Sequence, residues 1–391
     1  MAFSLVNLSS IITVVLNQSP WLFLILGLFA GYQISRIMIA HIAPIGFYDI
    51  PSADRTNSTD LVPRTAGLAF MASLFVGHQF GFIALPFLNT LLWGLLGFIG
   101  LLGLADDFNR QQPIAFISPG FKAKYTLIIA MITALGLLWP LQSTPETITS
   151  NSISVSRLFE FTPQFYLSQP MNFVFFGYPL PSLYLFLFLG ITLLCWGIPN
   201  LFNLIDGLDG LAMGYFGMVI FVVMRFPNGD LIPGPGFWGL WAMVFYLNLK
   251  KIHYLGDVGS LSMGLFLAVT SVLYIQSHLL EHFLFLFAYP ILDTLHVILL
   301  RWKQNRPLGQ GDNCHLHHFI WRQTKKSLTW TLPILWTLGF LPMLRLWGSP
   351  NYQQLSLIGL GLLVIVLGFS FTVQFNEKKS SYHHILMSLI S

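Results

Sequence analysis

The stretch NLFNLIDGLDGLAMG, Asn200 to Gly214, decides how the rest of this chain is read. Its polar residues Asn200, Asn203, Asp206 and Asp209 recur at every third position, which lays them in one slowly drifting stripe along a helix, while Ile205, Leu208 and Leu211 turn toward other neighbours. Amide oxygens and carboxylates then converge on one line. In apolar surroundings such a stripe is costly unless it meets a metal ion, a phosphate-bearing ligand or its own partners. Gly207, Gly210 and Gly214 let a ligand or a second helix approach the backbone closely. The stripe reads as a site rather than as a self-satisfied polar seam.

The surroundings are indeed apolar. Only 9% of the 391 residues are charged, against 55% apolar and 15% aromatic, whereas a soluble domain carries roughly a quarter charged residues. The fold class expected is an all-α polytopic membrane protein, a single domain over 1–391. The net charge of +4 then reflects topology, and no nucleic-acid partner is expected. Cys195 and Cys314 fall in an apolar span and a hydrophilic loop, so no disulfide framework is implied. The first basic residue is Arg36, which leaves the first apolar run without the charged start of a cleaved leader.

A bilayer crossing takes about 20 apolar residues. About eleven such runs are expected, near 20–43, 66–86, 88–104, 125–140, 181–199, 211–226, 234–249, 259–277, 283–300, 328–346 and 354–374. Pro86 marks a turn between the second and third. Alternating the sides puts sixteen Lys and Arg residues on one side and only Arg157, Arg225 and Arg345 on the other. The richer side is cytoplasmic by this bias, with the N-terminus outside and the C-terminus inside. Five polar loops then share the cytoplasmic face, 44–65, 105–124, 200–210, 250–258 and 301–327. Segment 141–180 becomes an extracytoplasmic loop with room for a short hairpin.

Each of those loops carries a motif. In the first, Arg55 and Arg64 either hold an anionic ligand or anchor the chain at the membrane surface, and Gly67 eases close packing. In GLADDFNR, Asp106 and Asp107 stand side by side. Adjacent carboxylates repel unless a cation neutralises them, and their pairing can raise one toward the range of a useful base; the alternative is a solvated span end. Lys122 and Lys124 follow, residues that by default attract lipid headgroups. In YLGDVGSLSMG, Asp257 lies between two glycines, in a turn that can aim a carboxylate at a metal. Tyr254 can stack on a flat heterocycle or simply sit at the interface. Asp293, inside the ninth run, needs a partner, and His296 and Arg301 on the same helix are the nearest in sequence. Finally RPLGQGDNCHLHHFI holds Arg306, Asp312, His315, His317 and His318. No cysteine pair or H-E-x-x-H spacing accompanies the histidines, so gripping a phosphate or sugar suits them better than zinc.

In order, these motifs are P-R-x-x-G (Pro63, Arg64, Gly67), D-D, N-x-x-N-x-x-D-G-x-D-G, G-D-x-G-S and H-x-H-H. The chain from Asp49 to Ile320 thereby resembles the polyprenyl-phosphate N-acetylhexosamine-1-phosphate transferases, the glycosyltransferase 4 family. The H-x-H-H pattern is most like the undecaprenyl-phosphate GlcNAc-1-phosphate branch. Departures stand at Ser58, where relatives carry histidine, at Ala66, where they carry glycine, and at Thr126 and Ala130, where they carry lysine and glutamine.

The resemblance implies transfer of a sugar 1-phosphate from a UDP-sugar to undecaprenyl phosphate, with release of UMP. It implies magnesium, or manganese in its place, held by Asp257 and Asn203. The catalytic set would be Asp106, Asp107, Asp206, Asp209, His315, His317 and His318. Arg64, Lys124, Asn200, Asn203, Tyr254 and Arg306 would bind substrates. A homodimer is left open. The rival class is an ion-coupled carrier, which would place polar residues near mid-bilayer, where only Asp293 falls.

Overall fold

The computed structural model describes residues 20–45, 47–49, 61–79, 90–111, 121–142, 172–175, 178–224, 234–274, 279–307 and 313–390; Arg55, Ser58, Pro86, Arg157, Arg225 and Asp312 lie outside them. These residues are almost wholly helical, in α1 (Pro20–Ile42), α2 (Ala66–Gln79), α3 (Thr90–Gln111), α4 (Phe121–Gln142), α5 (Ser182–Ile205), α6 (Leu211–Val223), α7 (Pro235–Leu249), α8 (Gly256–Tyr274), α9 (Leu279–Leu286), α10 (Ala288–Lys303), α11 (Leu316–Gln323), α12 (Leu328–Met343) and α13 (Pro350–Ile390). Two antiparallel hairpins accompany them. One joins β1 (Tyr48–Asp49) to β2 (Val62–Pro63), and the other joins β3 (Asn172–Phe175) to β4 (Tyr178–Pro181) at the end of the 141–180 segment.

Among the described residues, five helices are by themselves long and apolar enough to cross a membrane: Pro20–Ile42, Leu92–Asn109, Phe121–Leu138, Leu187–Ile205 and Pro350–Asn376. Leu211–Val223 and Gly256–Val272 are apolar but shorter. Their burial explains the difference. From Asp257 to Val272, α8 is buried on every face, and it packs against α2, α3, α5 and α6. A helix apolar all round belongs inside a bundle. The outer helices do the opposite, turning Trp21, Phe29, Leu135, Ile365 and Phe369 outward. Apolar side chains spread over so much surface suit a lipid environment.

Three boundaries differ from the sequence reading, and each difference moves chemistry. The Asn200–Gly214 stripe is not one helix. α5 continues past Pro199 to Ile205, a turn occupies 206–210 with Gly210 in the left-handed region at φ +82°, and α6 begins at Leu211. Repeated Asp-Gly pairs favour that turn over a continued helix. Asn200 and Asn203 are therefore helical, while Asp206 and Asp209 project from a turn.

α3 likewise outruns its expected end, so Asp106 and Asp107 stand in closing helical turns rather than in a loop. Carboxylates at a helix C-terminus oppose its dipole and call for nearby cations. The ninth run breaks at Phe287 into α9 and α10. Pro290 has no N–H to offer the Leu286 carbonyl, and the buried Tyr215 hydroxyl donates to that carbonyl instead at 2.8 Å. Within the 301–327 loop, α11 buries Leu316 through Trp321 and packs against α12 and α13.

Candidate active site

Four separate segments meet at the N-terminal end of α8. Beyond β2, the chain pairs with the approach to that helix: Tyr254 N–H donates to the Pro63 carbonyl at 2.8 Å, Ala66 N–H to Tyr254 at 3.0 Å, and Gly67 N–H to Leu255 at 3.1 Å. These bonds stitch P-R-x-x-G against Y-L-G-D. Gly256, at φ +66°, makes the turn into α8 that a side chain would strain. Arg64 is thereby held beside the first turn of α8.

The two neighbouring aspartates on α3 have different surroundings. Asp107 is fully buried; its Oδ1 accepts Arg64 Nη1 at 2.5 Å and its Oδ2 accepts the Asp257 N–H at 2.9 Å. Arg64 continues to Asp49, through Nε at 3.0 Å and through Nη2. Burial alone would lower the Arg64 pKa, but Asp107 and Asp49 hold the guanidinium above even its ordinary value. Asp107 is thus a fixed link between the first loop and α8.

Asp106 faces another cluster. Lys122 Nζ, in the first turn of α4, donates to Asp257 Oδ2 at 2.5 Å, Asn203 Oδ1 at 3.0 Å and Asp106 Oδ2 at 3.1 Å. Asn203 Nδ2 donates to Ser260 Oγ at 3.0 Å, which fixes the amide with its oxygen toward the cluster. Oxygens from α3, α5 and α8 therefore surround one positive charge. Two carboxylates and an amide form an all-oxygen donor set, which suits magnesium or manganese and not a thiophilic metal. The residues fit the expected divalent ion.

The Asp-Gly turn adjoins this cage. Burial, then Asp257, Asp209 and Asp107, push the Asp206 carboxyl well above its usual range. Burial raises Asp209 to about 6, although Lys251 pulls it back. Buried Asn248 ties the turn down, accepting the Gly210 N–H at 2.8 Å and donating to the His253 carbonyl at 3.0 Å.

The histidine segment arrives from the other side. A Cβ at Gly207 would collide with His317 Nε2, so the missing side chain is what lets α11 dock on the turn. His315 Nδ1 donates to Asp293 Oδ2 at 3.0 Å, and the Leu316 N–H donates to Asp293 Oδ1 at 2.7 Å. Asp293 therefore anchors the histidine segment, and His296, its expected partner on the same helix, instead lies against Phe371. Atoms of Asp293, His315 and His317 also lie within 4.8 Å of one another, but both Asp293 oxygens are already committed to hydrogen bonds. Burial holds His317 neutral against the pull of Asp293, and burial with the neighbouring imidazoles lowers His318 to about 2. At neutral pH these two rings can offer an N–H or a lone pair but no charge.

Three expected substrate residues stand apart from the cage. Lys124 is exposed, with its ammonium 5.9 Å from the Tyr125 ring. Asn200 Nδ2 donates to the Trp196 carbonyl at 2.6 Å and to Thr126 Oγ1 at 3.4 Å, which joins α5 to α4. Arg306 Nη1 approaches Cys314 Sγ at 3.7 Å, at the foot of the histidine segment. The sequence reading missed Lys122, Asp49 and Asn248. A signal for Lys122 existed: it shares the GFKAKYTL segment with Lys124, and its place in the first turn of α4 sets it apart only once the helix is built.

Positions 89–275 match the family described as Glycosyl transferase family 4, a span holding D-D, the Asn-Asp stripe and G-D-x-G-S. A Bacillus subtilis (strain 168) protein named "Probable undecaprenyl-phosphate N-acetylglucosaminyl 1-phosphate transferase" is 26% identical over 291 residues, 70% of this chain and 69% of its own. Two proteins named "Phospho-N-acetylmuramoyl-pentapeptide-transferase" are 27% identical: that of Staphylococcus saprophyticus covers 73% of this chain and 84% of its own, and that of Dictyoglomus thermophilum 73% and 83%. The family likeness carried by the ordered motifs is borne out, and both branches are represented.

Proposed function

We propose that this chain, a multi-pass membrane protein of the glycosyl transferase family 4 type, transfers a sugar 1-phosphate from a UDP-sugar to undecaprenyl phosphate, releasing UMP and leaving a lipid-linked diphosphate sugar. The observation that carries this is the convergence of Asp106, Asn203 and Asp257 oxygens from three helices on one cationic point. N-acetylglucosamine is the sugar favoured by H-x-H-H; another N-acetylhexosamine is the alternative, motivated by the pentapeptide-transferase relatives. The eleven-span layout with the site facing the cytoplasm completes the proposal, because the nucleotide sugar is cytosolic and the acceptor tail lies in lipid. Such a product would start an envelope polysaccharide.

The chemistry follows from charge. Magnesium held by Asp257 and Asn203 would neutralise phosphate oxygens and stabilise the departing UMP. Asp106 borders the same point and orients the attacking acceptor phosphate, which is already largely ionised at neutral pH and needs no strong base. Asp107, occupied by Arg64 and the Asp257 N–H, positions rather than reacts. Asp206 and Asp209 take the nucleotide side. Neutral His317 and His318 hydrogen-bond to the diphosphate or sugar, with His315 oriented by Asp293 and Arg306 adding charge. We favour a direct displacement over a covalent aspartyl intermediate.

Purified protein in lipid, given undecaprenyl phosphate, magnesium and a panel of UDP-N-acetylhexosamines, should release UMP fastest from UDP-GlcNAc. Release from none of them would reject the proposal. Faster release from UDP-MurNAc-pentapeptide would move the chain to the other branch.

A further inference from the structure

We infer that Lys122 is a tethered competitor for the divalent-cation site, its ammonium and the metal being alternative occupants of one oxygen cage. The inference rests on the reading that this cage takes a divalent ion. Lys122 Nζ lies within 3.1 Å of an oxygen from each of Asp257, Asn203 and Asp106, three groups on three different helices. Magnesium demands oxygens at about 2.0–2.1 Å. An ion drawn that close to the same oxygens leaves no room for the ammonium, and the two positive charges repel.

The remaining geometry fits exchange. The lysine side chain is 22% exposed while Asp257 is 6% exposed, so the cation lies on the open side of a largely buried carboxylate. Its flexible four-carbon stem starts at the second residue of α4 and can withdraw without unwinding the helix. Thr126, one turn later, is buried and fixes that turn by donating to the Lys122 carbonyl at 2.8 Å. One ammonium offsets part of the crowding of the Asp106 and Asp257 carboxylates, yet supplies half the charge of the ion that replaces it. Lys122 therefore weakens metal binding by the free protein. When a nucleotide diphosphate enters, its oxygens give the displaced ammonium a new partner, so metal and nucleotide bind best together.

The test is a manganese titration of the full-length protein in lipid nanodiscs, without nucleotide, followed by paramagnetic resonance of free Mn2+. Lys122→Met should bind Mn2+ at least roughly tenfold tighter than wild type, because a repelling charge a few ångströms away is gone. Lys122→Arg, which keeps the charge, should stay near wild type. Thermal melting checks the fold: Lys122→Met should melt lower than wild type without Mn2+ and gain more from adding it. Equal or weaker Mn2+ binding by a Lys122→Met protein whose melt responds to Mn2+ would overturn the inference while leaving the transferase reading intact. Failure of both wild type and Lys122→Met to bind Mn2+ at any concentration would overturn both.

Discussion

Asp107 joins the backbone N–H of Asp257 at 2.9 Å to Arg64 at 2.5 Å, so the more buried member of the D-D pair sets where the neighbouring helix begins. Asp106 has no such duty. Substitution should separate them. Asp107→Ala leaves the buried Asp257 N–H without its acceptor and Arg64 with Asp49 alone, and should cost about 2 kcal/mol of stability along with turnover. Asp106→Asn should lose turnover with its melting temperature within a degree or two of wild type. Melting both variants beside an activity assay checks this, and equal melting temperatures would contradict it.

Asp257 and Asn203 should differ in severity. Losing a carboxylate ligand removes charge that the metal needs, whereas losing an amide removes one neutral donor. Asp257→Asn should lower turnover about a thousandfold at any magnesium concentration. Asn203→Ala should raise the magnesium concentration for half-maximal rate roughly tenfold and leave much of the maximal rate. A magnesium titration of initial rates distinguishes them.

The Asp209 carboxyl, raised to about 6 by burial, is mostly ionised at pH 7 and mostly protonated at pH 5. Turnover should fall on the acid side with an apparent pKa near that value, and Asp209→Asn should be slower yet flatter through the same window. Because the folded value lies above the ordinary one of about 3.9, this group stabilises the fold as pH falls from above 6 toward 4. Its acid loss of activity should therefore reverse on returning to neutral pH.

Asp293 should matter without touching substrate. It holds His315 and the N-terminus of α11 together. Asp293→Ala should lower turnover about a hundredfold and raise KM for the UDP-sugar, with magnesium dependence unchanged. A shifted magnesium optimum would place Asp293 at the metal instead.

Lys124→Ala should keep turnover within about twofold of wild type, since an exposed lysine over an aromatic ring contributes little. A larger loss would return Lys124 to the substrate side.

The helices and the ordered motifs were legible because lipid-facing composition and glycine-flanked carboxylates are local signals. What was not legible was one local break and several contacts distant in sequence. Every-third spacing at Asn200–Asp209 suggested one helix, yet two Asp-Gly pairs broke it into helix and turn. His296 was near Asp293 in sequence, but His315 reached it from 22 residues away. Lys122 and Lys124 look alike in the chain; only the rotation of α4 decides which ammonium meets Asp257.

The most direct measurement uses UDP-GlcNAc labelled with phosphorus-32 in the β-phosphate, incubated with the purified protein, undecaprenyl phosphate and magnesium. The label should pass into the lipid fraction, with UMP as the nucleotide product and transfer by Asp257→Asn down about a thousandfold. Label that stays in UDP while the sugar moves, or transfer undiminished in that variant, would contradict the phosphosugar transfer assigned to this site.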